Sequence, residues 1–187
     1  MSKSPPRKPT SEDLANAHNR RIPDLIAPNL KILFCGINPG LYSGATGLHF
    51  ARPGNRFWPA LFGAGFTGRL LSPFEESELL AVGYGITALV RRTTATAAEL
   101  SDEEYRAGRR ELVRKVRKYS PRWVAVLGLG AYRVGFDKPR ATVGRQDEMI
   151  GSAKLWVLPN PSGLNANHQL PQLIEMFKAL RDAVQGD

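Results

Sequence analysis

Two stretches rich in glycine, proline and asparagine hold most of the side chains that neither a core nor a solvated surface accounts for. The first runs Gly36-Ile37-Asn38-Pro39-Gly40-Leu41-Tyr42-Ser43-Gly44-Ala45-Thr46-Gly47-Leu48-His49-Phe50-Ala51-Arg52-Pro53-Gly54-Asn55-Arg56-Phe57-Trp58; the second runs Leu158-Pro159-Asn160-Pro161-Ser162-Gly163-Leu164. The Asn38 carboxamide carries a donor and an acceptor, so it can orient a polar partner, but it is no strong base. As the first half of an Asn-Pro pair it can equally do no more than start a turn. Phe50 is either an exposed aromatic face or a core side chain, and His49 either a neutral-pH donor and acceptor in a pocket or a solvent-facing ring. Asn55 suits a helix N-cap, and Phe57, Trp58 and Leu61 suit the core behind it. Other chemistries lack their residues. The only cysteine, Cys35, sits in the apolar run Ile32-Leu33-Phe34-Cys35, and alone it builds no disulfide, zinc site or iron-sulfur site. There is no GxGxxG run with an acidic ribose partner and no P-loop lysine.

These loops need a frame that brings them together. Short apolar runs alternate with helical patterns, the arrangement of a mostly parallel sheet covered on both faces by helices. Leu30 to Gly36, Tyr84 to Val90, Trp123 to Gly128 and Leu155 to Pro159 read as four buried strands. Asn55 to Ala64, Pro73 to Val82, Ser101 to Tyr119, Gly130 to Phe136 and Pro171 to Val184 read as helices. The third opens on a Ser101/Glu104 capping box and turns Tyr105, Gly108, Leu112, Val116 and Tyr119 inward. Arg106, Arg109, Arg110, Arg114, Lys115, Arg117 and Lys118 fall on its outer face and read as solvated. Asp137 to Gly151 reads as an irregular loop or small hairpin.

The expected architecture is one three-layer α/β/α domain over residues 25–187, with a central four-stranded, mostly parallel sheet, preceded by a flexible basic tail over residues 1–24. In open sheets ligands bind beyond the carboxyl ends of the strands. That rule selects the loops Ile37 to Gly54, Arg91 to Leu100, Leu129 onward, and Asn160 to Gln169. A length of 187 residues with 42% hydrophobic content fits one domain. A net charge of +9 and a pI of about 10.1 favour a polyanionic partner, nucleic acid first, although a solvated basic surface gives the same numbers. No run approaches the roughly 18 apolar residues of a membrane span, and the N-terminus has no apolar signal segment. A soluble, cytoplasmic protein with no membrane partner is expected.

The two loops resemble the signature segments of the mismatch-specific uracil-DNA glycosylases, the branch of the uracil-DNA glycosylase superfamily that includes thymine-DNA glycosylases. Gly85-Ile86-Thr87-Ala88-Leu89-Val90 and Ala125-Val126-Leu127-Gly128 are similar to the middle strands of that family, so the resemblance spans Leu25 to Leu180. It implies a uracil-DNA glycosylase-like fold and a monomeric, monofunctional glycosylase that needs neither cofactor nor metal. The implied reaction is hydrolysis of the N-glycosidic bond of uracil, with thymine and other damaged pyrimidines as further candidates, mispaired with guanine in double-stranded DNA. The base is flipped out and an abasic site remains.

The resemblance also assigns roles. Asn38 orients the water, Phe50 stacks on the flipped base, and Gly36, Ile37, Tyr42 and Ser43 surround it. Asn160, Ser162, Gly163, Leu164 and Asn165 form a loop that enters the duplex, with Leu164 as the plug and backbone groups of Gly163 and Asn165 on the widowed guanine. His49, Arg56, Thr93 and Thr94 are further candidates for pocket or phosphate contacts. The chain departs from relatives in three places: Asn165-Ala166-Asn167-His168 follows the plug where an arginine is frequent, Arg91-Arg92-Thr93-Thr94-Ala95 replaces an acidic-and-proline version, and Asn160 stands where the most efficient branch has a histidine. An asparagine in place of an aspartate at position 38 predicts a slower enzyme that works by positioning.

Overall fold

The computed structural model describes residues 7–187. Five strands form one sheet: β1 (Ile32–Gly36), β2 (Tyr84–Ala88), β3 (Trp123–Leu127), β4 (Gly144–Ile150) and β5 (Ala153–Leu158), in the order β2-β1-β3-β5-β4. All neighbouring pairs are parallel except β4 with β5. Every residue of β1 and β3 is buried, which demands apolar side chains on both faces and explains their unbroken apolar runs. Alternation then sorts the core into two. Ile32, Phe34, Ala125 and Leu127 pack with α3 (Phe57–Gly63) and α7 (Leu170–Gln185) on one face. Leu33, Cys35, Val124 and Val126 pack with α5 (Asp102–Tyr119) and α6 (Leu129–Gly135) on the other. The three-layer reading therefore holds. Three short helices, α1 (Ser11–Ala15), α2 (Leu41–Thr46) and α4 (Glu78–Ala81), complete the set among the described residues.

The sheet has five strands and not four. The extra one, β4, lies in the stretch expected to be an irregular loop or small hairpin, and it is the hairpin alternative that fits, since β4 pairs antiparallel with β5. It is an edge strand whose residues before the buried Ile150 alternate between half-buried and exposed, so its polar sequence GRQDEMI has no apolar run to reveal it. The helix expected over Pro73 to Val82 is a 3-10 turn at Pro73–Glu75 followed by the single turn of α4. α3 begins at Phe57 with Arg56, not the expected Asn55, as its N-cap residue; Asn55 lies one position earlier, and its Oδ1 accepts from the Phe57 N–H at 2.9 Å. α5 starts as expected, with Ser101 and Glu104 exchanging the two bonds of a capping box.

One charge on α5 is not solvated as expected. Lys115 is buried, and its Nζ donates to Asp24 Oδ2 at 2.7 Å and to Thr87 Oγ1 at 2.8 Å, while the Thr87 hydroxyl donates to Asp24 Oδ1 at 2.8 Å. Removing one partner of such a buried pair leaves the other uncompensated, a cost of about 3–5 kcal/mol. Cys35 beside it is fully buried, and burial pushes its thiol up to about 12, which agrees with a core role.

The segment expected to be a flexible tail is also different from Thr10 onward. Thr10 and Asp13 make a capping box at the start of α1, Ala17 and Ile22 are buried, and Leu25 exchanges two backbone hydrogen bonds with Ile86 on β2, at 2.9 and 2.7 Å. A Cβ at Gly85 would lie 2.6 Å from the Leu25 carbonyl oxygen, so glycine is required for this strap to lie against β2. The mean polarity of residues 1–24 hides these few apolar anchors. Residues 1–6 of the expected tail lie outside the described residues.

Candidate active site

A cavity of about 590 Å³ opens beyond the carboxyl ends of β1 and β2. Its walls come from three turns: the one leaving β1, which carries Asn38, Tyr42 and Ser43; the one after β2, with Thr94 to Ala97; and the loop after β5, with Asn160, Ser162, Leu164 and Asn165. Gly36, Ile37 and Phe50 line it as well. Two loops more than a hundred residues apart in sequence therefore meet across one sheet, where open α/β sheets bind ligands. The loop after β3, also a candidate, lines a neighbouring hollow of about 560 Å³ that shares Asn160 and Asn165 with the first.

The Asn38 amide is held in one orientation. Its Nδ2 donates to the Arg92 carbonyl oxygen at 3.0 Å, to Thr94 Oγ1 at 2.7 Å and to the Pro39 carbonyl oxygen at 3.3 Å. Carbonyl oxygens only accept, and the Thr94 hydroxyl spends its hydrogen on the Thr96 carbonyl oxygen at 2.8 Å, so the NH2 end must face this cluster. Oδ1 remains as the atom that Asn38 offers the cavity. A fixed acceptor of this kind orients water by accepting one of its hydrogens.

Phe50 is half-buried and stacks on Phe57 with ring centroids 4.0 Å apart at 25°, which leaves its other face for the cavity. Its φ is 51°, in the left-handed region that a bulky residue rarely occupies. Such strain collects where a side chain must be presented at a set angle. A Cβ at Gly36 would sit 3.2 Å from the Phe50 ring, so glycine leaves the ring room over the end of β1. His49 is buried, and its Nδ1 lies 3.0 Å from Glu76 Oε2, which also accepts the His49 N–H at 2.8 Å. A carboxylate accepts only, so Nδ1 carries the hydrogen and Nε2 is the ring atom left to meet a ligand. Ser43 is buried in the same wall and accepts from the Ala51 N–H at 3.3 Å.

Leu164 is 68% exposed, at the tip of the loop after β5. That loop is braced from within: Asn160 Oδ1 accepts from the Ser162 N–H at 3.0 Å, and Asn165 Nδ2 donates to the Asn160 carbonyl oxygen at 3.0 Å. Arg56 braces it from outside. Its guanidinium donates to the carbonyl oxygens of His168, Ser162 and Asn165, the last at 2.7 Å, and its backbone N–H reaches the Pro161 carbonyl oxygen at 2.9 Å. A Cβ at Gly163 would come within 2.6 Å of the Gly54 carbonyl oxygen, so the two loops touch backbone to backbone. A phosphate contact for Arg56 is thus replaced by a structural role. Arg56→Met is expected to destabilise the fold by about 1–3 kcal/mol, since it unpairs three carbonyls and loosens the loop that carries Leu164; denaturant unfolding measures the loss.

Residues 23–184 match the family model described as the Uracil DNA glycosylase superfamily. The chain belongs to that superfamily. A protein from Methanosarcina acetivorans, provisionally assigned as a uracil DNA glycosylase and solved by solution NMR, has the same fold: the TM-score is 0.61 at 20% identity, over 89% of this chain and 98% of that one. Among the described residues of this superfamily member, no helix is long and apolar enough to cross a membrane.

The glycosylase fold collects every residue expected around the base into one cavity and adds some that were not expected. Leu14 and Ile22 line it from the strap, and Thr87 and Ala88 from the end of β2. The Thr10-x-x-Asp13 capping pattern followed by Leu14, Ala17 and Ile22 is the signal that could have revealed the first two. Thr94 lines the cavity, whereas Thr93 is buried behind it and spends its hydroxyl on the strap.

The turn that holds Asn38 is itself anchored. Arg92 Nε donates to Glu104 Oε1 at 2.5 Å, and this bond, with the Ser101 N–H next, holds the Glu104 carboxyl down to about 2. A folded-state value below the unfolded value, near 4.5, means that the stability from this contact is complete above 4.5 and is lost as pH falls toward 2. Glu104→Gln keeps the capping geometry and removes the charge. It is expected to melt below wild type at neutral pH, with the gap closing as the pH drops from about 5 to about 3; melts followed by circular dichroism across that range measure it.

Proposed function

We propose that this chain is a monofunctional DNA glycosylase of the mismatch-specific, thymine-DNA-glycosylase-like branch, which hydrolyses the N-glycosidic bond of uracil opposite guanine in double-stranded DNA. The observation that carries the proposal is the chemistry of the cavity wall: among the described residues that line it there is no Asp, Glu, Lys or Cys, and it presents the oxygen of a locked Asn38 amide. With no lysine among these residues there is no amine to form a Schiff base, and with no carboxylate the one lining side chain able to take a proton from water is the His49 imidazole, through Nε2. Otherwise the wall orients and stacks.

The reaction suited to such a wall has a cationic sugar in its transition state. The C1′–N1 electron pair leaves with the base, the water held by Asn38 bonds C1′ through its oxygen, and the released proton passes through solvent to the base nitrogen. Phe50 stacks on the base, and Leu164, exposed on the rim of the same cavity, fills the gap left in the helix. Flipping costs a few kcal/mol and least at a mispair, which supports a preference for uracil opposite guanine over a Watson–Crick pair. The basic chain, at +9, adds non-specific attraction to phosphates that weakens with salt.

A base-release panel tests this reading, with uracil and thymine each placed opposite guanine and adenine in duplexes, and uracil in a single strand. Alkali-labile sites are expected first and fastest for uracil opposite guanine. Duplex binding with no alkali-labile site in any arm would make the protein a mismatch binder and not an enzyme.

A further inference from the structure

Residues 10–22 of the strap precede the superfamily match, which begins at residue 23, yet they touch two of the three turns that build the cavity, the one leaving β1 and the one after β2. We propose that residues 10–22 are a working part of the catalytic site: they clamp the turn that locks Asn38, and through Leu14 they limit the space open to the base. The proposal rests on the glycosylase reading above.

The clamp closes on Thr93, which is fully buried. The Asn19 N–H donates to the Thr93 carbonyl oxygen at 2.9 Å, the Thr93 N–H to the Arg20 carbonyl oxygen at 2.9 Å, and the Arg20 N–H to Thr93 Oγ1 at 2.8 Å; the Thr93 hydroxyl donates to the Ala17 carbonyl oxygen. One residue thus exhausts its backbone and side-chain bonding on the strap. A second anchor lies beyond Thr94, where His18 Nε2 is 2.7 Å from Glu99 Oε2 and the other carboxylate oxygen accepts the N–H groups of Ala95 and Thr96 at 2.8 and 3.0 Å. On either side of the first anchor sit the Arg92 carbonyl and the Thr94 hydroxyl, both acceptors for the Asn38 amide. Strap, turn and α2 meet at Gly44, where a Cβ would lie 2.6 Å from Thr93 Cγ2 and 3.1 Å from the Ala17 carbonyl oxygen. Packing this close lets little movement of the strap go unfelt at Asn38. Leu14 and Ile22 then add two apolar side chains to the wall from outside the three turns.

Misplacing a reacting group by about 1 Å can cost about a hundredfold in rate, so a loosened clamp affects chemistry more than binding. The full-length chain is compared as wild type, Thr93→Val, Thr93→Ser and Leu14→Ala. The measurements are single-turnover uracil release from a duplex with uracil opposite guanine, affinity for the same duplex carrying a 2′-fluoro, non-hydrolysable nucleotide, and Tm. Thr93→Val is expected to slow release by about tenfold with affinity within about twofold, and Thr93→Ser to restore most of the rate. Leu14 is only partly buried, so Leu14→Ala leaves folding intact. It is expected to raise the rate on a uracil with a bulky 5-substituent, relative to uracil itself, by about threefold or more. Wild-type rates and wild-type base choice in Thr93→Val and Leu14→Ala, even with a lower Tm, would reduce the strap to a purely structural element. Should Thr93→Val fail to fold, the Leu14→Ala ratio alone decides. A wild-type protein that binds the duplex and releases no base overturns the glycosylase reading itself, and the other arms are then read no further.

Discussion

Asn38→Ala should slow single-turnover release of uracil by at least about a hundredfold while duplex affinity changes little, because in the proposed mechanism the amide acts on water and not on DNA. Three contacts hold its Nδ2 and leave only Oδ1 to the cavity. Alanine abolishes the acceptor and leaves the Arg92 carbonyl and the Thr94 hydroxyl one donor short. The informative companion is Asn38→Asp. A carboxylate is the better base, and chemistry alone would make it faster. The surrounding geometry opposes this: an ionised aspartate would turn an oxygen toward two carbonyl oxygens, with no hydrogen to give either. Asn38→Asp is therefore expected to stay below wild type at neutral pH. A rate above wild type would show that the cluster of acceptors does not dictate the amide.

The second large effect is expected at Leu164. A leucine that is 68% exposed has no core contact to lose, so Leu164→Ala should leave Tm unchanged. In duplex DNA the plug offsets stacking lost when a base leaves the helix, a cost of a few kcal/mol. A single strand has no such gap to fill. Leu164→Ala is expected to lower release from duplex by about tenfold or more and release from single strands by much less. Rates measured on paired duplex and single-stranded substrates give the ratio, and equal losses on both would remove the plug from the account.

Much of this was visible in the residues. The strands β1 and β3, buried at every position, announce themselves as apolar runs, and the rule that ligands sit beyond the carboxyl ends of strands selects the loops after β1 and β5 that hold Asn38, Phe50 and Leu164; the roles proposed for those three rest on the family resemblance. Four features were hidden for physical reasons. β4 pairs on one side only and needs no apolar run. The strap is anchored by a few apolar residues in a polar stretch, so its average composition reads as solvated even though Ala17 and Ile22 are buried. Arg56 is an exposed-looking charge whose partners lie 106 to 112 residues away, and such partners leave no local pattern. The same holds for Lys115, which a helical wheel places among solvated arginines although Asp24 neutralises it in the core.

The central claim is that an oriented water, and no enzyme nucleophile, breaks a glycosidic bond here. Its most direct test is mass spectrometry of the products after the protein acts on a duplex with one uracil opposite guanine, followed by borohydride treatment. The account predicts free uracil, an intact strand bearing an abasic site, and no protein–DNA adduct after reduction. A reduced covalent adduct, or a duplex that keeps its uracil, would contradict it.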